Sequence, residues 1–333
     1  MMRFGARLTV RHPGFFSLVQ DLGRIGYRRF GVSVGGALDP HALRIANLLV
    51  ENEPGAAGLE ITFGGFRGHF DDRRLVAWCG GRFDVRIGSV PLPAGHVGAI
   101  EAGEELVVNP PTGGCRAWLA ISGGIDLPKI LDSRSTDLRA EFGGLDGRVL
   151  RAGDVIPLGD QTNGASDVSG LLRKEKISAW SAPANWTSTA QASPVLRFVR
   201  GGDWDRFDPS AHQIIGHQIF SLSSDSNRMG ARLDGPLLWR KDYADLISEA
   251  VVPGTVQVPP NAKPILLLGD CQTIGGYPKI AHVITVDLAA AAQLRPGDSF
   301  RFREVSMAEA HRFLFQRERD LGLFRVGLEA RAA

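Results

Sequence analysis

Three cysteines, three tyrosines and four methionines are all that occur in 333 residues, and no apolar run approaches the roughly 20 residues that a membrane helix needs. Cys79, Cys115 and Cys271 lie far apart and form no CxxC pair, which fits a reducing compartment better than a disulfide framework. The first residues, Met1-Met2-Arg3-Phe4-Gly5-Ala6-Arg7, lack the apolar core of a signal peptide, so a cytoplasmic location is expected. No long basic run occurs and the formal net charge is only +2, which argues against a nucleic-acid partner. Also missing are a GxxxxGK[ST] phosphate loop and an HExxH metal motif. His212 and His217 stand five apart without a partner cluster, so no metal site is expected.

Glycine and proline are plentiful instead, at 41 and 19 residues, which makes turns frequent and long helices few. Short apolar runs recur between them, among them Leu59-Glu60-Ile61-Thr62-Phe63, Leu75-Val76-Ala77-Trp78, Phe83-Asp84-Val85-Arg86-Ile87 and Ala117-Trp118-Leu119-Ala120-Ile121. Several alternate apolar with polar residues, as half-buried strands do, and their spacing suits a sandwich or barrel. The expected class is mainly β.

A few helices stand out. Asp39-Pro40 reads as an N-cap followed by proline at the first helical position, with apolar residues spaced along one face to Leu49. Asp287 is expected to open a short helix over 288–294, and Ser306 with Glu309 forms a capping box before a last helix ending near Gly322. Composition turns small and polar from about Asp160 to Ser193. The expected division is therefore an N-terminal lobe over 1–160, a linker over 161–193 and a C-terminal lobe over 194–333.

The densest chemistry lies in Gly269-Asp270-Cys271-Gln272-Thr273-Ile274-Gly275-Gly276-Tyr277-Pro278-Lys279, between two apolar strand-like segments. An acid, an amide, a hydroxyl, a phenol and an ammonium surround two adjacent glycines there. Glycine N–H groups free of side chains can turn toward an anion or a developing oxyanion. The plainer alternative is a hairpin with incidental polar residues. Cys271 has no histidine near it in sequence and reads as a buried bystander thiol.

Other clusters carry weaker signals. Gln20, Asp21 and Arg24 sit among glycines, where Asp21 and Arg24 can pair and hold the loop. Arg134, beside Ser135, can grip a carboxylate or phosphate or can belong to a solvated turn. Asn227 and Arg228, Glu249, and Gln257 each stand at the edge of a strand-like run, from which they can converge on one cleft with the 269–279 loop.

Several motifs occur in a fixed order: Gln20-Asp21-x-Gly-Arg24-x-Gly-Tyr27, Leu38-Asp39-Pro40 with its helix, Gly123-Gly124-Ile125-Asp126 and Ser133-Arg134-Ser135-Thr136. Ser226-Asn227-Arg228-Met229-Gly230, Gln257-Val258-Pro259, Gln272-Thr273-x-Gly-Gly-Tyr-Pro-Lys279 and Gln293-Leu294-Arg295-Pro296-Gly297-Asp298 complete the series. The chain resembles the allophanate hydrolase subunit 2 family over residues 8–305. That family includes the C subunit of 5-oxoprolinase and the second half of the carboxyltransferase region of urea carboxylase. Three turn positions depart from its pattern: Glu51 and Asp132 stand where glycine is usual, and Gly65 where proline is common.

The resemblance implies two lobes of cyclophilin-like open β-barrel type with a few short helices. It implies partners as well: a homologue of the B subunit of 5-oxoprolinase (allophanate hydrolase subunit 1) and, in the 5-oxoprolinase branch, the A subunit. The leading expectation is a component of ATP-dependent 5-oxoprolinase, with ATP bound here or with the partner. Lys279, Tyr277, Asp270, Glu249 and Arg228 would serve catalysis in that reading. Gln257, Asn227, Gln272, Thr273, Gly275, Gly276, Arg134, Ser135, Gln20, Asp21 and Arg24 would bind substrate. One alternative is a carboxyltransferase component acting on urea or a related amide, with biotin on a separate carrier. The other is a non-enzymatic regulator that antagonises a histidine-kinase inhibitor.

Overall fold

A computed structural model describes residues 5–172, 175–242 and 246–332. The chain divides into two compact units. The first comprises the described residues of Met1–Gly23, Asp39–Ala190 and Leu321–Ala333, the second Arg24–Leu38 and Gln191–Asp320.

The first unit holds β1 (Arg7–Pro13), β2 (Phe16–Gln20), β3 (Gly58–Thr62), β4 (Phe66–Phe70), β5 (Arg74–Arg82) and β6 (Val85–Ile87). It continues with β7 (Val90–Pro91), β8 (His96–Ile100), β9 (Glu105–Val108), β10 (Gly113–Ile121), β11 (Val155–Pro157) and β12 (Ile177–Ser181). They form two six-stranded antiparallel sheets, ordered β11-β1-β4-β9-β6-β7 and β12-β8-β5-β10-β3-β2. One core cluster joins them, with Leu8, Phe66, Phe70 and Ile87 from the first sheet and Ile61, Val76, Trp78 and Leu119 from the second. β4 alternates buried and open positions, whereas β5 is buried on both faces because α1 (Pro40–Leu49) packs on its far side. The Asp39 side chain accepts the Ala42 N–H at 3.0 Å, the cap expected from sequence.

The expected linker is not one over its length. It carries α2 (Asn163–Leu171), β12 and α3 (Ala184–Thr187), while Arg173 and Lys174 lie outside the described residues. β12 pairs with β8 through Ile177↔Gly98 and Ser181↔His96, and Trp186 of α3 sets its ring 6.0 Å from that of His41. Small polar residues here serve a short edge strand rather than a tether.

In the second unit β13 (Val195–Arg200), β14 (Ile219–Leu222), β15 (Gly230–Asp234), β17 (Thr255–Gln257), β18 (Ile265–Leu267), β20 (Lys279–Val283) and β21 (Ser299–Glu304) close a barrel. Its order is β13-β20-β17-β18-β15-β14-β21, with β13 and β21 parallel and the other pairs antiparallel. Phe198, Phe220, Phe300 and Phe302 fill the interior in edge-on and tilted ring contacts. The barrel is therefore closed, whereas open barrels were expected, and the mainly β class with few helices holds. A separate two-stranded ladder pairs β16 (Glu249–Ala250) with β19 (Ile274–Gly275).

α4 (Pro209–His217) packs on β21. α5 covers only Leu288–Ala291, and Asp287 does not cap it. Its carboxylate instead accepts the Arg197 N–H, Nε and Nη2 at 2.7, 2.8 and 2.5 Å. α6 runs Met307–Ala332, well past Gly322. The capping box is as expected, with Glu309 accepting from Ser306 N–H and Oγ at 2.9 Å each. The helix continues because Leu321 and Leu328 stay buried at helical spacing and Phe324 rests 5.8 Å from the Trp186 ring.

Candidate functional site

The loop expected to carry the chemistry is partitioned among three tasks. Its first part is anchored from the Arg24–Leu38 segment and from Arg228. Gly35 N–H donates to Gly269 O at 3.1 Å, and Ser33 Oγ to Cys271 O at 2.9 Å. Arg28 reaches the carbonyls of Val251 and Thr273. The Arg228 guanidinium, almost fully buried, donates Nε to Asp270 Oδ2 at 2.8 Å and Nη2 to Oδ1 at 3.0 Å. The same Nη2 donates to Gly36 O at 2.6 Å. Both carboxylate oxygens of Asp270 are thus committed, which suits a fixed anchor better than a proton carrier. Cys271 is fully buried, and burial pushes its thiol up to about 11, only partly offset by the Arg28 cation.

The second part ends in Lys279, the first residue of β20. Asp203, which sequence reading passed over, holds it at three points. Asp203 N–H donates to Lys279 O at 3.1 Å, and Asp203 Oδ2 accepts both Lys279 N–H and Nζ at 2.9 Å. Nζ has a second ion pair, with Glu249 Oε2 at 2.7 Å. Burial acts to lower the lysine's pKa, yet hydrogen bonds and charge from Glu249 and Asp203 outweigh it and hold the ammonium above its ordinary value. Lys279 is accordingly a cation here, an electrostatic group rather than a base. The signal for Asp203 was the Gly201-Gly202-Asp203 turn directly after an apolar strand.

The third part is a relay of amides. Gln257, buried at the end of β17, stands opposite Lys279 in the antiparallel register. Its Nε2 donates to Tyr277 O at 3.2 Å, and its Oε1 accepts from Gln272 Nε2 at 3.4 Å. Gly275 pairs with Glu249 in the small ladder. Neither Gly275 nor Gly276 adopts a left-handed backbone, so conformational freedom is not what these glycines supply. Gly275 makes room: a Cβ there would lie 2.7 Å from Gln257 Nε2. Thr273 is half-buried and Tyr277 exposed beside this relay.

Lys279, Glu249, Gln257, Gln272, Gly275 and Tyr277 therefore gather in one place, with Arg228 and Asp270 anchoring the loop that carries them. Asn227 is exposed, and its Oδ1 accepts the Met229 and Gly230 N–H groups of its own turn at 2.8 and 3.3 Å. Arg24 belongs to the second unit, where its Nη1 and the Asp270 carboxylate both approach Gly35.

Gln20, Asp21, Arg134 and Ser135 lie in the first unit, in a cradle of their own. Asp21 Oδ1 accepts from Ser133 Oγ and Ser135 Oγ at 2.6 Å each and from Gly23 N–H at 2.8 Å, while Oδ2 accepts Arg134 N–H at 2.6 Å. The Ser-Arg-Ser run is thus a buried wrapping for a carboxylate of the chain itself and not a solvated turn. The Arg134 guanidinium is taken by Leu127 O and Asp126 Oδ1, and Gln20 Nε2 by Thr136 O. Among the described residues, no helix is long and apolar enough to cross a membrane.

A closed barrel in one unit and antiparallel sheets in the other make up a carboxyltransferase-type domain. The carboxyltransferase domain family, subdomains A and B, matches residues 30–304, and the chain belongs to it. It is 38% identical over 303 residues to the C subunit of 5-oxoprolinase from Escherichia coli (strain K12), covering 91% of this chain and 93% of that one. The Haemophilus influenzae protein of the same name is 37% identical, with 88% and 89% covered. The crystal structure of the K. lactis urea amidolyase superposes with a TM-score of 0.86 at 26% identity, over 96% of this chain and only 20% of that one.

Proposed function

We propose that the chain is the C subunit of an ATP-dependent 5-oxoprolinase, opening 5-oxo-L-proline to L-glutamate in assembly with its A and B subunits. The similarity to 5-oxoprolinase C subunits over nine-tenths of both chains carries this reading. A lactam resists water because its carbonyl is a poor electrophile, and ring opening pushes charge onto that oxygen. Lys279, held as a cation, is suited to seat an anionic group of the substrate, and the Gln257–Gln272 amides to orient the ring N–H and the C=O on which that charge grows. Arg228 and Asp270 act by fixing the loop.

The 269–279 loop does not fit ATP. Gly269, Gly275 and Gly276 all lack the left-handed backbone from which consecutive N–H groups form a phosphate-binding concavity, and Gly275 is paired in a ladder. No step of nucleotide activation is therefore routed through this loop. A cytoplasmic enzyme follows from the same reading.

Mixing the chain with the A and B subunits, then measuring ATP-dependent glutamate release, tests the proposal. Release is expected. Its absence, in a mixture that turns over once the Escherichia coli C subunit replaces this chain, overturns the reading. The family match favours a second reading, transfer of a carboxyl group from biotin on a separate carrier to urea or a related amide. Carboxyl transfer to urea in the presence of carboxylated carrier, with no lactam opening, would establish it.

A further inference from the structure

The two carboxylates on Lys279 are not equivalent. Asp203 is 13% exposed at its side chain, takes both the backbone and the side-chain nitrogen of the lysine, and returns its own N–H to the lysine carbonyl. It is built into the turn: a Cβ on Gly201 would lie 2.1 Å from Lys279 O, so only glycine lets this backbone come so close. Glu249 is 64% exposed, stands on a two-residue strand and meets Nζ with one oxygen. An exposed ion pair of that kind contributes little and exchanges readily. An ammonium only 15% exposed, by contrast, needs a counter-charge at all times.

We propose that Glu249 is a placeholder, whose seat on Lys279 Nζ is taken by an anionic group of the substrate, and that Asp203 is the positioning residue that keeps the ammonium aimed at that seat. Gln257 lies opposite Lys279 in the strand register and is hydrogen-bonded to Gln272, so amide groups stand next to the anion seat. The combination selects a small amide that also bears a carboxylate, held at two points. This rests on the lactam-opening reading above, in which 5-oxo-L-proline carries such a carboxylate. It assigns Glu249 to specificity and exchange, not to proton transfer.

The test uses the full chain, alone and assembled with its partners, labelled at lysine Cε for NMR, with the Lys279 signal assigned through Lys279→Arg. The probes are 5-oxo-L-proline, 2-pyrrolidinone (the same ring without its carboxylate) and inorganic phosphate. 5-Oxo-L-proline is expected to move the Lys279 signal and 2-pyrrolidinone to leave it in place. Glu249→Gln should tighten 5-oxo-L-proline about five-fold, the scale of one exposed ion pair. Asp203→Asn should weaken binding and lower the pH at which Lys279 titrates, which a purely structural role at a distance would not do. If phosphate moves the signal, more so in Glu249→Gln, and 5-oxo-L-proline does not, the anion seat stands and the lactam reading falls. The proposal is overturned if Glu249→Gln weakens or does not change anion binding, if 2-pyrrolidinone acts as strongly as 5-oxo-L-proline, or if no anion moves Lys279 in either form.

Discussion

Arg228 and Asp270, 42 positions apart in sequence, meet through two parallel hydrogen bonds of 2.8 and 3.0 Å in a nearly buried setting. The third bond, from Arg228 to Gly36 O, ties the Arg24–Leu38 segment to the same guanidinium. Removing one partner of a buried pair leaves the other charge uncompensated, which is worse than never having the pair. Asp270→Ala should therefore lower unfolding stability by about 3 kcal/mol in denaturant titration. Arg228→Lys should recover little, because an ammonium cannot serve two carboxylate oxygens and a carbonyl in that geometry. Wild-type stability in Arg228→Lys would show that charge alone matters here.

Two neighbouring glycines separate crowding from flexibility. At Gly201 a Cβ would meet backbone atoms, Lys279 O at 2.1 Å and Lys279 C at 2.7 Å, and strand backbone cannot swing aside. At Gly202 nothing lies within 4 Å. Gly201→Ala should cost at least about 3 kcal/mol or abolish folding, while Gly202→Ala stays within about 1 kcal/mol of wild type. Equal effects at the two positions, in thermal or denaturant unfolding, would remove the argument that Gly201 exists to let Asp203 reach Lys279.

What was legible in the sequence follows from how local each determinant is. The Asp39 cap, the Ser306–Glu309 box and the alternating strands depend on neighbours a few residues away, and they stand where expected. Glu51 and Asp132, which depart from family glycines, do adopt left-handed φ of 61° each, so the glycine signal marked backbone geometry. The role of Asp21 was missed because three of the four groups on its carboxylate lie more than 110 positions away, in the Ser-Arg-Ser run that wraps it. A nearby arginine looks like the natural partner only along the linear chain. Asp203 was missed for the same reason, its lysine being 76 positions on. The helix past Gly322 was hidden because glycine is a weak stop when buried leucines continue the period.

The Asp203–Lys279 contact makes a pH prediction with a definite sign. Burial acts to raise the Asp203 carboxyl, but hydrogen bonds and charge from Lys279, with Arg206 nearby, outweigh it and hold the carboxyl below its ordinary value. A depressed carboxyl contributes stability that is fully present above its unfolded value, about pH 4, and is lost as pH falls through the lower folded value. The stability gap between wild type and Asp203→Asn should thus be constant near neutrality and shrink in acid. At the other end, the raised Lys279 ammonium contributes stability below about pH 10 that is lost as pH rises through its folded value. Urea unfolding of the two proteins at acidic, neutral and alkaline pH checks both limbs. A gap that widens in acid would reverse the sign and remove Asp203 as the lysine's partner.

Gly275 distinguishes an amide relay from a glycine hinge. A Cβ there would press on Gln257 Nε2 at 2.7 Å and Oε1 at 3.3 Å, both at the far end of a side chain. The backbone is extended and paired with Glu249, so alanine is conformationally acceptable. Gly275→Ala should then fold with a loss of no more than about 1 kcal/mol, because the amide can turn away. Turning it breaks the bonds to Tyr277 O and from Gln272, so turnover of the assembled enzyme should fall about ten-fold or more, as misorientation of positioning groups does. Gln257→Leu, which deletes the amide but keeps its bulk, should fall by a similar factor, and adding Gly275→Ala to it should change little further, since both act through one group. Independent, multiplying losses in the double variant would show that Gly275 acts on the chemistry by another route, its own N–H or the ladder to Glu249.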